Sequence, residues 1–147
     1  MIFVKYYKFA VDICKSIIDE NPDSSLTSYA LDLLWQGSRN YDVEGFKNYL
    51  QEKTSSKVKK ELYGDMELIL SSYDMRKSSK VQSIESTAQK YAGTSIEEAA
   101  LFQKFMYYFN DEENTDMAKE TSDELDNFLN RNLLWKPTGY LKEIPKV

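Results

Sequence analysis

The chain has 147 residues, 41 % hydrophobic and 29 % charged, enough to bury one ordinary core and too apolar for a disordered polymer. It carries no histidine and a single cysteine, Cys14, which excludes a Ser-His-Asp triad, a Cys-His pair, an imidazole metal ligand, a thiolate zinc site and an internal disulfide. Net charge is −5, and only five glycines and three prolines punctuate the chain, which argues for long helices over a turn-dense β-fold.

The first segment places Tyr6, Phe9, Ala10, Ile13 and Ile17 at i, i+3, i+4, i+7 and i+11, one apolar helical stripe. Lys5, Lys8 and Asp12 interrupt it, so it reads as neither a secretory signal nor a membrane anchor. Cys14 is expected as a small buried hydrophobe there, and a lone cysteine fits a reducing cytosol. Asn21-Pro22-Asp23 stops this helix. Ser24 or Ser25 can cap a second helix bearing Tyr29, Ala30, Leu33 and Leu34, with Gly37 as its C′ residue. Asp42 can cap a short third helix with Phe46, Tyr49 and Leu50.

Val58, Leu62, Met66, Ile69, Leu70 and Tyr73 follow the spacing of a fourth amphipathic helix. A fifth sets Val81, Ile84, Ala88 and Tyr91 on one side and ends before Gly93. Thr94 or Ser95 opens the sixth, with Glu97 three residues after Thr94 in capping-box form. From Ala99 to Phe109 that helix is apolar almost all round, as the middle of a bundle requires. A loop from Asn110 to Thr115 leads to a seventh helix. The expectation is an all-α single domain over 1–147, about seven helices within 1–131 and an irregular tail over 132–147 held by Trp135 and Tyr140.

The concentrated feature is acidic. Asp111, Glu112, Glu113, Asp116, Glu120, Asp123, Glu124 and Asp126 stand against Lys119 alone, a local charge of −7 that leaves about +2 for the rest. On a helical wheel Asp116, Glu120, Asp123 and Glu124 gather beside an apolar side of Met117, Ala118, Leu125, Phe128 and Leu129. Asp116 with Glu120, and Glu120 with Glu124, are like-charged i, i+4 pairs that each cost an isolated helix about 0.2–0.5 kcal/mol. A solubilising surface is one reading of that cost. The other is a negative field that speeds encounter with a cationic partner. The loop has calcium-type oxygen donors but lacks the glycine and donor spacing of an EF-hand, so no metal is expected. No glycine pattern cradles a phosphate, so neither a cofactor nor catalysis is expected. Lys53, Lys57, Lys59, Lys60, Arg76, Lys77 and Lys80 are interleaved with acids, a solvated face and not a nucleic-acid site.

The segments AVDICKSIID, SYALDLLWQ and YDVEGFKNYLQ, over roughly the first 50 residues, resemble the helical immunity proteins of contact-dependent growth inhibition and polymorphic-toxin systems. That resemblance implies a bacterial, cytoplasmic, non-enzymatic inhibitor that binds a cognate toxin domain with a basic surface as a 1:1 heterodimer. Many such toxins are nucleases. The eight acids would meet the toxin, with Trp35, Trp135 or a tyrosine as anchor, and no direct contact with nucleic acid or membrane is implied. A helical regulatory adaptor or antitoxin that recognises an endogenous protein is the alternative.

Overall fold

A computed structural model of the chain describes residues 2–132, with side chains from Tyr6 onward. Among the described residues it is all-α: α1 Ile2–Glu20, α2 Ser25–Tyr41, α3 Val43–Thr54, α4 Glu61–Ser72, α5 Lys77–Lys90, α6 Ser95–Met106 and α7 Thr115–Arg131, with a π-helical turn, Tyr107–Asp111, extending α6. Two compact units divide the chain, Met1–Met66 and Glu67–Val147. Among the described residues no helix is long and apolar enough to cross a membrane. Of the expected tail, Asn132 follows α7 as its C-cap, and 133–147, with Trp135 and Tyr140, lie outside the described residues.

In the first unit α1 and α2 form an antiparallel pair. Ser24 caps α2 by accepting from Leu26 N at 3.2 Å, and Thr27 Oγ1 donates back to the Asn21 carbonyl. The far ends meet where Tyr7 stacks on Tyr41, centroids 4.7 Å apart, and donates its hydroxyl to Ser38 Oγ at 3.2 Å. Gly37 is therefore not a helix end. It lies inside α2 with the Tyr7 ring close by, and α2 continues to Tyr41. Asp42 both ends α2 and starts α3, its amide bonding to the Ser38 carbonyl at 3.0 Å and its carboxylate accepting from Gly45 N at 2.9 Å. Phe46, Tyr49 and Leu50 are buried on α3, as their spacing predicts.

The apolar stripe of α1 is where expectation and structure part. Cys14 and Ile18 are the buried side of that helix, and burial pushes the Cys14 thiol up from its ordinary value. Tyr6, Phe9 and Ile13 stand in solvent. On α2, Ala30 and Leu34 are buried with Thr27, Leu31 and Ser38, whereas Tyr29 and Leu33 are exposed. Thr27 and Ser38 tolerate burial because each hydroxyl has a hydrogen-bond partner. Val58 lies ahead of α4 and is exposed, and Tyr73 follows its last residue, so the fourth helix is shorter than its periodicity.

The second unit is built around α6, flanked by α5 and α7. Leu68, Ile84, Ala88, Tyr91, Ile96 and Ala100 form one cluster, and Leu101, Phe105, Ala118, Leu125 and Phe128 the other, so α6 contributes to both. Gly93, at φ +82°, turns the chain between α5 and α6. Thr94 accepts from Ile96 N at 3.2 Å, but Glu97 reaches one residue further than a capping box, taking Gly93 N at 2.9 Å. Its other oxygen holds Arg131 at 3.2 Å.

Candidate functional site: the acidic face of the second unit

After Met106 the helix widens. Glu112 N bonds to the Tyr107 carbonyl at 3.1 Å, a five-residue step that puts Asn110 and Asp111 in a π turn instead of the expected loop. The wider turn brings Glu112 beneath the Tyr107 hydroxyl, 2.8 Å away, while Lys77 approaches its other oxygen at 2.7 Å. Lys77 and then Tyr107 hold the Glu112 carboxyl below its ordinary range. Burial and the Glu112 carboxylate push the Tyr107 phenol up to about 12. Glu113 follows at φ +50°, a left-handed conformation that a β-carbon disfavours.

Asn114 caps α7, accepting from Met117 N at 3.1 Å, so Thr115 is helical and not loop. Ala118, Thr121, Leu125 and Phe128 form the buried side. Asp116, Glu120 and Asp123 lie opposite, with Asn127 and Asn130 among them and Lys119 and Asp126 at one border. Glu124 falls on the flank toward α6, where Lys104 Nζ lies 2.9 Å from it and 3.0 Å from Glu85. Burial opposes the charge on Lys104, but the hydrogen bonds it donates to Glu124 and Glu85 outweigh it and hold the ammonium above its ordinary range.

The eight acids thus separate. Glu112 and Glu124 are tied to cations of their own unit. Asp111, Glu113, Asp116, Glu120, Asp123 and Asp126 are exposed, and none makes an ion pair with another described residue. What α7 presents is an array of carboxylates held at helical spacing, suited to cationic side chains. Among the described residues no three His, Cys, Asp or Glu side chains are grouped to hold a metal ion.

The basic residues are largely engaged. Lys53 pairs with Asp19 at 2.7 Å, Lys60 with Asp23 at 3.1 Å and Lys77 with Glu112, while Lys80 lies over the Tyr107 ring. In the first unit, a groove of about 370 Å³ is lined by Tyr7, Lys8, Asp12, Lys15, Ser38 and Tyr41, a lining of mixed sign. Trp35 is half-buried, with the Arg39 guanidinium 5.5 Å from its ring. Comparison with protein-family models, curated proteins and solved structures gave no match.

Proposed function

We propose that the chain neutralises a toxin domain by binding a basic surface of that domain through the outward side of α7 and the turn before it. The observation that carries this reading is the set of six exposed carboxylates, none engaged by a described cation, two of them a like-charged i, i+4 pair on one helix. Left open to solvent, such a field steers a cationic protein and repels nucleic acid and anionic membrane. Charge supplies the rate of encounter, while apolar anchors set the residence time. The likeness of the first helices to immunity proteins directs the choice of partner toward a toxin, a nuclease being the chemistry whose basic groove fits best.

The test takes as candidate toxin the product of any large exoprotein gene found beside this chain's gene. Replacing Asp116, Glu120 and Asp123 together by Lys leaves the buried side of α7 intact. It is expected to slow association at low salt by about 10- to 100-fold and to abolish protection of cells. Unchanged binding by the triple variant overturns the role of α7. Capture of an endogenous protein in place of a toxin moves the reading to a regulatory adaptor.

A further inference from the structure

Among the large apolar side chains of the first unit that stand in solvent, six form two triplets: Tyr6, Phe9 and Ile13 of α1, and Leu26, Tyr29 and Leu33 of α2, each between 45 % and 68 % exposed. Both triplets step i, i+3, i+7, one stripe on each helix. On α1 the opposite flank faces α3. There Lys15 lies over the Tyr49 ring at 4.9 Å, and Asp19 accepts from the Tyr49 hydroxyl at 2.9 Å. At about 100° per residue, each stripe lies roughly a third of a turn from the buried side of its helix, rotated in the same sense on both. In an antiparallel pair equal rotations set both stripes on the same face, away from α3. Ala10 and Ile17 border the α1 stripe on its α2 side, Gln36 and Asn40 continue the α2 stripe toward its C-terminus, and charges of both signs, Glu20, Asp32 and Arg39, stand at the rim.

Six such side chains at this exposure offer roughly 600–700 Å², above the ~300–600 Å² that is the largest apolar patch of a typical monomer. Two such faces together would bury about 1,200–1,400 Å², the range of a stable association. The charge distribution selects the occupant. Residues 1–66 carry nine Lys or Arg and ten Asp or Glu, a net −1, whereas residues 67–147 carry ten against fourteen, a net −4. A strongly basic partner has little to meet on the α1–α2 face, and a second acidic chain meets little repulsion there. The geometry points to a second copy of this chain, the two α1–α2 pairs packing face to face about a two-fold axis. This association is separate from the acidic face and stands whether or not α7 binds a toxin.

Light scattering and sedimentation of the full chain over about 1–200 µM test it, and a mass of twice 17.2 kDa at the upper end is expected. Phe9→Glu with Leu33→Glu changes exposed positions only, so helix content should hold while the dimer weakens by about 100-fold or more. Tyr29→Lys repeats the test with the opposite charge. A chain at 17.2 kDa throughout, or a dimer that survives both variants, overturns the proposal. A monomer whose Tyr6 and Tyr29 resist hydroxyl-radical labelling also overturns it, because another part of the same chain then covers the face.

Discussion

Lys104 reaches Glu124 at 2.9 Å, and that contact removes Glu124 from the acids available to a partner. Asp123, its neighbour in sequence, has no such contact with a described residue and faces solvent. The two positions should therefore separate stability from binding. Glu124→Gln is expected to cost about 0.5–1 kcal/mol in thermal denaturation, since its side chain is 38 % exposed and solvent screens the pair. Asp123→Asn should change stability by less than about 0.5 kcal/mol. In stopped-flow association with the proposed basic partner the order should reverse, Asp123→Asn slowing binding more than Glu124→Gln.

Glu113 holds φ at +50° between the π turn and the Asn114 cap. A glycine adopts that conformation freely, so Glu113→Gly should stabilise the fold by about 1 kcal/mol in urea unfolding. Glu113→Val should destabilise it, because β-branched residues tolerate the left-handed region worst. The glycine variant should also bind the proposed basic partner more slowly, having lost one exposed acid.

Two glycines of the first unit should respond in opposite directions to the same methyl group. At Gly45 the added carbon collides with the Asp42 carboxylate that caps α3, so Gly45→Ala should cost about 1–2 kcal/mol. At Gly37 the carbon would rest 3.5 Å from the Tyr7 ring, an ordinary contact. Gly37→Ala, in a helix interior, should stabilise by about 0.5–1 kcal/mol. Thermal melts of both variants provide the check.

Asp65 on α4 gives a pH signature. Burial, with Glu61 and Asp32 nearby, pushes its carboxyl up to about 6 from an ordinary 3.8. The folded state therefore binds this proton more tightly than the unfolded state, and stability rises as pH falls from about 7 toward 4. Asp65→Asn should flatten that rise and stabilise the chain at neutral pH by up to about 2 kcal/mol. Urea midpoints for both proteins across that pH range measure it.

Helix starts were legible in sequence because their chemistry is local. Ser24, Asp42 and Thr94 cap where their side chains predict, each bond spanning two or three residues. Which side of a helix is covered was less legible. The spacing of Tyr6, Phe9 and Ile13 establishes a stripe, yet the neighbour that decides burial lies on α2, at Ser38 and Tyr41. The acidic run was visible as composition, and its outward side followed from the helical wheel. The loss of Glu112 and Glu124 did not, since their cations are 35 and 20 residues away in sequence, at Lys77 and Lys104. The widened turn at Tyr107 left no pattern, because one extra residue in a hydrogen-bonded ring needs no particular side chain.

That widened turn gives the chain an asymmetric tolerance to length change. A five-residue step holds one residue more than an α-helical step, so deleting Asn110 lets Tyr107–Asp111 relax into ordinary helix. The loss then falls on the contact between Tyr107 and Glu112, while the packing of Phe105 against α7 keeps its place. An added residue at the same point has no slack to occupy and must push Glu113 or the Asn114 cap out of register.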